Sequence, residues 1–229
     1  MNEITYAIGD VHGRLDLLEL ALARVDSRPS KRPRRVVLLG DYVDRGPDSA
    51  GVIDLLIRRK QPTICLKGNH EDMMLRALTG DESALGHWLS NGGRETLRSY
   101  SARPDDDLLR AIPKAHQNWL AALPLTSADP HRIFVHAGLA PNVPLEDQDE
   151  RFLLWIRESF LKAGAEALPA HIVHGHTPHW QGKRDMAAPE LLPHRTNLDT
   201  GAYATGVLSV GVFDPEVPGG PLEVWAITA

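Results

Sequence analysis

Short apolar runs alternate with stretches of helical periodicity over the first part of the chain. Residues 4–8, 36–39 and 63–66 are apolar runs of strand length, and the run at 36–39 is continuous, as in a strand buried on both faces. Between them, residues 14–25 place leucine and valine at helical spacing, and a second apolar helical pattern begins near Asp48. Three strand–turn–helix units in succession predict an α/β fold with a largely parallel sheet.

Residues 80–125 have a different pattern, which predicts a mostly helical insertion. Helical patterns such as 108–123 dominate this stretch, and an aspartate run at 105–107 precedes that pattern. Negative charge stabilises a helix N-terminus, so these aspartates are expected to begin a helix rather than to bind a metal.

Strand patterns return in the second half of the chain. Residues 132–135 and 172–173 are short apolar runs, and a helical pattern at 152–157 lies between them. The runs at 207–213 and 222–227, separated by proline and glycine, predict antiparallel strands at the end of the fold. No linker, repeat or low-complexity segment divides the sequence, so one domain is predicted over all 229 residues.

Composition and charge narrow the classes of function. The net charge of −5 does not support binding of a nucleic-acid polymer. The one basic run, residues 28–35, is expected at the amino end of a strand, where it forms a solvated loop. No apolar run approaches the roughly 20 residues that a membrane helix needs, so no membrane partner is expected.

Cysteine usage and the first residues predict a cytoplasmic protein. Cys65 is the single cysteine, which excludes a disulfide framework and a thiolate zinc cluster. The first six residues lack the basic and then apolar layout of a signal peptide.

Five predicted strands are each followed by a turn that carries Asp, Asn or His, nearly always beside glycine. The turns are residues 9–13 (GDVHG), 40–46 (GDYVDRG), 68–71 (GNHE), 136–138 (HAG) and 175–178 (GHTP). Any one of them is a weak signal, because a single polar turn residue is usually structural. Together they predict one site, since loops at the carboxyl ends of strands gather in one crevice of an α/β fold.

The side chains in these turns predict a metal centre. Carboxylate, amide and imidazole donors without thiolate suit Mn, Fe or Zn. Six candidate ligands exceed the number that one tetrahedral ion needs, so two ions are expected, and a carboxylate such as Asp41 can bridge them. Arg45 in the same turn can bind an anion.

In this order, the five turns resemble the motifs of the phosphoprotein phosphatase (PPP) family of dinuclear metallophosphoesterases, closest to its small bacterial and phage members. The resemblance extends from the N-terminus to about residue 202, and the helical insertion is its least matched part. It implies a four-layer α/β/β/α sandwich of the calcineurin-like metallophosphoesterase type, with the metals at the strand ends.

The resemblance implies two sets of metal ligands that share a bridging Asp41. The expected ligands are Asp10, His12 and Asp41 for the first ion, and Asp41, Asn69, His136 and His176 for the second. Two divalent ions are implied, with Mn²⁺ expected and Fe or Zn as alternatives.

The resemblance also implies roles in catalysis. A hydroxide that bridges the two ions attacks phosphorus in line, without a covalent enzyme intermediate, and His70 is the general acid that protonates the leaving oxygen. Asp44 orients His70 and keeps it protonated, since a nearby carboxylate favours imidazolium. Arg45, Arg157 and Asn69 are the expected substrate-binding residues. For Arg157 the alternative is a solvated helix residue.

His174 leaves an alternative open at the last turn. Because His174 and His176 are two apart, they share a face of the predicted strand, and His174 could compete as a ligand. Many small relatives of the family have an apolar residue in place of His174, so this chain departs from them here. The GHTP match favours His176 as the ligand. The remaining histidines and residues 199–202 (DTGA) are expected to be structural or at the surface; these histidines are His87, His116, His131, His171, His179 and His194.

The implied activity is metal-dependent hydrolysis of phosphomonoesters. The expected substrates are phosphorylated proteins or peptides, on serine or threonine first, with tyrosine left open. The alternative is hydrolysis of diadenosine tetraphosphate, because that branch shares the metal motifs, and substrate choice is expected to depend on residues 80–125. A binding module without activity is disfavoured, because every expected ligand is present. The oligomeric state is left open.

Overall fold

The first of two sheets combines the strands at the start of the chain with those at its end. The computed structural model describes residues 3–103, 105–179 and 187–229. The strands of this sheet are β1 (Ile4–Ile8), β2 (Arg34–Leu38), β3 (Thr63–Cys65), β9 (Leu208–Phe213) and β10 (Glu223–Ile227). Their order is β10-β9-β1-β2-β3, with β1, β2 and β3 parallel and β9 antiparallel to both of its neighbours. The predicted parallel start and antiparallel end are confirmed.

The second sheet is also mixed. Its strands are β4 (Thr126–Ala128), β5 (Arg132–Val135), β6 (His171–His174), β7 (Glu190–Leu191) and β8 (Arg195–Asn197), in the order β4-β5-β6-β8-β7. β5, β6 and β8 are parallel, whereas the edge strands β4 and β7 are antiparallel to their neighbours. The short strands β4, β7 and β8 were not predicted, because two or three residues are too few to show a period.

Helices follow the first three strands as the sequence predicts. These helices are α1 (Leu15–Ser27), α2 (Ser49–Arg58) and α3 (Asn69–Ala77). The predicted insertion contains α4 (Glu82–Trp88), a π-helical turn (Leu89–Gly93), α5 (Arg94–Ser99), α6 (Leu108–Ala111) and α7 (Lys114–Ala121). The last helices are α8 (Glu150–Trp155), α9 (Glu158–Leu161) and α10 (Ala202–Thr205), with 3-10 turns at Leu145–Asp147 and Ala165–Ala167.

The pattern at 108–123 forms two helices rather than one. α6 begins directly after the aspartate run at 105–107, and Pro113 separates it from α7. Proline has no N–H to continue a helix, whereas it is tolerated at the start of the next one. None of the helices in the described ranges is long and apolar enough to cross a membrane.

Alternating side chains on the central strands bind the layers together. On β1, Ala7 packs between the two sheets with Phe134 and Val173, whereas Tyr6 and Ile8 pack beneath α1 and α2. On the outer face of the second sheet, β5 and β6 pack against α8 and α9. The predicted four-layer α/β/β/α sandwich is therefore confirmed. That all 229 residues form one domain stays a prediction.

Candidate active site

The polar turns converge at the carboxyl ends of the parallel strands, and their backbone there is strained. Seven non-glycine residues of the described ranges have a positive φ, and five of them lie in these turns: His12, Asp41, Asp44, Arg45 and His176. Their φ values run from 45° to 74°, a left-handed region that costs L-residues free energy. Such strain concentrates where the fold imposes a side-chain direction that a regular strand could not provide.

Glu71 fastens the turn at 40–46 to the turn at 68–71. Its carboxylate accepts hydrogen bonds from the backbone N–H groups of Gly68 (2.8 Å), Asp41 (2.8 Å) and Tyr42 (2.7 Å). Burial and the charge of Asp41 raise the pKa of Glu71 to about 8, against the opposing effect of these N–H donors. The sequence showed Glu71 only as part of a motif, and its role in joining two turns required the structure.

Two groups of donor atoms meet at Asp41. His12, Asp41 and His70 form one group and Asp41, His136 and His176 the other, with the donor atoms of each group within 4.8 Å of one another. The oxygen Oδ1 of Asn69 lies 2.8 Å from His136 Nε2 and 2.8 Å from His176 Nδ1. The two clusters share Asp41 and contain four of the six predicted metal ligands, and Asn69 contacts both histidines of the second cluster. His70, predicted as the general acid, lies in the first cluster, whereas Asp10 belongs to neither.

Two of these imidazoles are oriented by backbone carbonyls. Nδ1 of His12 lies 2.9 Å from the Val43 carbonyl, and Nδ1 of His136 lies 2.8 Å from the Leu39 carbonyl. A carbonyl only accepts, so each Nδ1 is the donor and each Nε2 presents its lone pair to the site. The lone pair of His136 therefore faces the oxygens of Asn69 and Asp41, an arrangement of acceptors that a divalent cation stabilises.

Asp10 lies beside the two clusters and has an unsatisfied oxygen. Its Oδ2 accepts from the backbone N–H of His176 at 3.0 Å, whereas its buried Oδ1 has no hydrogen-bond partner. Burial, together with the charges of Asp199 and Asp41, raises the pKa of Asp10 well above its usual value. An orphaned buried carboxylate oxygen is costly, and a cation relieves that cost. The donor set therefore fits two divalent ions.

Electrostatics separates His70 from the other histidines of the site. Burial lowers the pKa values of His12, His136 and His176, which favours the neutral imidazole that binds metals. Burial acts on His70 in the same direction, but Asp41 and the hydrogen bond to Asp44 outweigh it and raise the pKa. Opposite shifts within one site are the usual mark of groups with different chemical roles.

Asp41 and Asp44 also differ in their environments. Burial opposes ionisation of Asp41, but the surrounding histidines outweigh it and lower its pKa. For Asp44 burial dominates and raises the pKa, despite hydrogen bonds from His70, Thr96 and Trp88. His70 Nδ1 lies 2.7 Å from Asp44 Oδ2, so one buried proton is held between these two groups.

Two arginines approach the clusters from either end. The Arg45 guanidinium lies with Nη1 at 2.9 Å from His12 Nε2 and Nη2 at 2.9 Å from His70 Nε2. Arg157 Nε lies 3.0 Å from His176 Nε2. Arg157 is exposed and lies between α8 and α9 as the N-cap residue of α9, so it is not inside a helix. Its role in binding phosphate stays a prediction.

Tyr203 is a residue of the site that the sequence did not reveal. Its ring lies under the Arg45 guanidinium at 5.0 Å and meets the His12 ring edge-on at 5.3 Å, while 41% of the residue remains exposed. It follows the DTGA segment at the start of α10, and only its place beside that segment could have pointed to it.

His174 does not join the donor clusters found in the described ranges. β6 ends at His174, and Gly175 turns the chain, so the predicted shared face with His176 is wrong. The His174 ring packs 4.9 Å from Phe160, and its Nε2 lies 3.4 Å from Arg195 Nη1. The six histidines without a motif also lie outside both clusters. In the segment 199–202, the Asp199 carboxylate accepts a hydrogen bond from the Gly201 N–H at 2.9 Å.

Two mixed sheets with a polar donor cluster at their strand ends define a metal-dependent hydrolase. A family model described as calcineurin-like phosphoesterase matches residues 5–206, and the chain belongs to that family. Metallophosphoesterases use a dinuclear centre of divalent metal ions, and family membership together with relatives named as phosphatases makes this chain a hydrolytic phosphatase.

Known relatives carry two kinds of name. The chain is 29% identical to serine/threonine-protein phosphatase 1 of Salmonella typhimurium, over 90% of this chain and 89% of the relative. It is 33% identical to a symmetrical bis(5'-nucleosyl)-tetraphosphatase of Klebsiella pneumoniae, but over 62% of this chain and only 45% of the relative. A crystal structure of a candidate diadenosine tetraphosphatase superimposes with a TM-score of 0.69 at 25% identity, covering 99% of this chain and 94% of the other.

Proposed function

We propose that this enzyme removes phosphate from phosphorylated serine and threonine side chains of proteins, with tyrosine as a further substrate. The observation that carries phosphomonoester hydrolysis is the juxtaposition of the Asp44–His70 pair with the Arg45 guanidinium beside the metal donors. The protein substrate is supported by the Salmonella phosphatase, which matches nearly the full length of both chains.

The proposed metal ligands are the six donors predicted from the sequence. They are Asp10, His12, Asp41, Asn69, His136 and His176, and Mn²⁺ is the proposed metal, with Fe or Zn as alternatives. When bound, the two ions activate water for attack and neutralise charge on the phosphoryl oxygens. A cytoplasmic location stays a prediction.

The arginines are proposed to bind the substrate phosphate. Arg45 presents two guanidinium nitrogens to the space between His12 and His70, a fork that matches two phosphate oxygens. Arg157 is proposed to bind the phosphate from the second cluster, where it lies beside His176, and Asn69 to contribute its amide. A phosphate held by Arg45 has its leaving oxygen close to His70 Nε2.

His70 is proposed to be the general acid. As the water oxygen bonds to phosphorus and the ester P–O bond breaks, the Nε2 proton of His70 passes to the leaving oxygen. Asp44 accepts the Nδ1–H throughout and stabilises the imidazolium before that transfer. The products are the free hydroxyl group and inorganic phosphate, and His70 regains its proton from solvent.

The second candidate function is hydrolysis of dinucleoside polyphosphates. It is favoured by the structural similarity to the candidate diadenosine tetraphosphatase, which extends over nearly all of both chains. Tyr203 also offers an exposed aromatic ring beside Arg45, on which a nucleobase could stack.

Initial rates on three substrates distinguish these functions. The Mn²⁺-loaded enzyme is given a phosphoserine/threonine peptide, a phosphotyrosine peptide and diadenosine tetraphosphate side by side. We expect kcat/KM to favour a peptide by about a hundredfold or more, which corresponds to about 2.7 kcal/mol of transition-state binding. The opposite preference would assign the enzyme to nucleotide metabolism and leave the site residues unchanged.

A further inference from the structure

The carboxylate of Asp44 is held by two donors from the helical insertion. Trp88 Nε1 lies 2.9 Å from Oδ1 and 3.0 Å from Oδ2, and the Thr96 hydroxyl donates to Oδ1 at 2.7 Å. Both side chains are fully buried, and they are 44 and 52 residues away from Asp44 in the sequence. Only Oδ2 faces His70, so these donors fix the orientation from which Asp44 can accept the Nδ1–H.

The same part of the insertion also holds the backbone of the 40–46 turn. The N–H of Asp44 donates to Thr96 Oγ1 at 2.8 Å, and the N–H of Arg45 donates to the Gly92 carbonyl at 3.2 Å. Asp44 and Arg45 are consecutive residues with φ of 74° and 68°. Two consecutive residues with a left-handed backbone are stable only where surrounding contacts hold them in place. Here residues 88–96 supply such contacts.

Trp88 itself has little freedom to move. A Cβ built on Gly93 would lie 2.6 Å from the Trp88 ring, so the glycine is needed for the indole to fit. The one polar side-chain atom of this fully buried tryptophan thus donates its hydrogen bond to the Asp44 carboxylate. A purely apolar packing role would not require an N–H at this place.

We propose that Trp88 and Thr96 are positioning residues for the general acid, so that residues 88–96 serve proton donation. This inference rests on the proposed function, because it assumes that His70 protonates the leaving oxygen. If one donor is lost, the Asp44 carboxylate can rotate away from His70 Nδ1, and the imidazolium loses its oriented partner. The cost then falls on reactions whose leaving group needs a proton.

The test compares two small substrates that differ in this need. Phenyl phosphate has a poor leaving group that requires protonation, whereas p-nitrophenyl phosphate releases a stable anion without it. For Trp88→Phe and Thr96→Val we expect kcat on phenyl phosphate to fall about tenfold or more, and kcat on p-nitrophenyl phosphate to fall less than about threefold. Metal content is expected to stay unchanged, and Thr96→Ser, which keeps the hydroxyl, is expected to restore the rate.

Trp225→Phe is the matched control. Trp225 is also a buried tryptophan whose Nε1 donates to a carboxylate, Glu223 at 3.1 Å, but it lies on β10 away from the site. We expect this variant to keep both rates. If Trp88→Phe does not fold, the Thr96→Val and Thr96→Ser pair decides the question alone.

His70→Asn, measured with the same substrates, distinguishes the positioning role of Trp88 and Thr96 from the general-acid role of His70. A selective loss on phenyl phosphate for His70→Asn, with equal or no losses for Trp88→Phe and Thr96→Val, would overturn the positioning role and leave the proposed function standing. Equal losses on both substrates for His70→Asn itself would show that the general acid is wrongly assigned, and the inference would fall with it.

Discussion

At the scale of single residues, Asp41 has the most connected position in the site. Its carboxylate lies 3.5 Å from His12 Nε2 and 3.4 Å from His136 Nε2, one donor from each cluster. Its Oδ1 also accepts from the backbone N–H of His70 at 3.1 Å. Loss of its charge therefore affects both clusters at once.

Asp41→Asn is expected to lose both metal ions rather than one. The amide keeps the size of the side chain but removes the charge. Loss of a group that only hydrogen-bonds to a metal ligand lowers metal affinity roughly 10–100-fold, so loss of this charge should lower it by at least as much. Elemental analysis after dialysis measures the metal content. Asp105→Asn, in the exposed aspartate run, is the control and should retain both ions. Retention of one ion by Asp41→Asn would contradict the bridging role.

Tyr203→Leu is expected to weaken binding of phosphate through Arg45. A cation–π contact at a partly exposed site contributes about 0.5–1 kcal/mol, so the inhibition constant for inorganic phosphate should rise about two- to fivefold. Tyr203→Phe keeps the ring and should bind phosphate as the unaltered enzyme does. Equal inhibition constants for the two variants would show that the ring does not support Arg45.

At the scale of elements, the kink at Leu89–Gly93 between α4 and α5 brings the insertion into contact with the site. Gly92 in this kink has a φ of 108°, and a Cβ there would lie 2.8 Å from the backbone nitrogen of Arg45. The insertion was expected to govern substrate choice. Residues 88–96 also contact the turn that carries Asp44 and Arg45. The expectation on substrate choice stays a prediction.

Gly92→Ala is expected to destabilise the protein more than Gly80→Ala. Both glycines have a positive φ, so each substitution costs about 1–2 kcal/mol of unfolding free energy for the backbone conformation alone. Gly80 has open space around its Cβ position, whereas at Gly92 the clash with Arg45 adds about 1–3 kcal/mol. Urea denaturation measures both values, and equal values would exclude a tight contact at Gly92.

At the scale of the whole molecule, buried neutral histidines predict loss of stability in acid. Burial lowers the pKa values of several histidines below the unfolded value of about 6.5; they are His12, His136, His171, His174 and His176. At these five positions the unfolded chain then binds more protons than the folded one. Stability from these groups is fully present above about pH 6.5 and is lost as the pH falls through that value.

His174→Gln tests the contribution of one of these histidines to the pH dependence of the unfolding free energy. Burial lowers the pKa of His174 to about 3, so this residue should take up one proton on unfolding between pH 6 and about pH 4. We expect the unfolding free energy of the variant to fall less steeply with acid, by about 1.4 kcal/mol per pH unit. Urea denaturation of the metal-free proteins at pH 7, 6 and 5 measures the slopes, and identical slopes would mean that His174 is already charged in the fold.

The sequence sufficed where the signal is local. Each strand that precedes a polar turn contains a short apolar run, so the fold class, the parallel start of the first sheet and the gathering of Asp41, His70 and His136 at the strand ends were predictable. Trp88, Thr96 and Tyr203 were not, because each acts through a partner far away along the chain and none belongs to a periodic pattern. The break at Pro113 was visible in the sequence but was outweighed by the helical spacing around it.

The two sheets supply different halves of the site. His12, Asp41 and Asn69 come from turns of the first sheet, and His136 and His176 from turns of the second, with the Asn69 oxygen 2.8 Å from both of these histidines. An ion held by donors from both sides is a cross-link between the two halves of the sandwich. At a free metal concentration 100 times Kd such a link adds about 2.7 kcal/mol to folding. Metal supply would then set the lifetime of the folded chain as well as its turnover, and starvation for metal would deplete the enzyme through proteolysis.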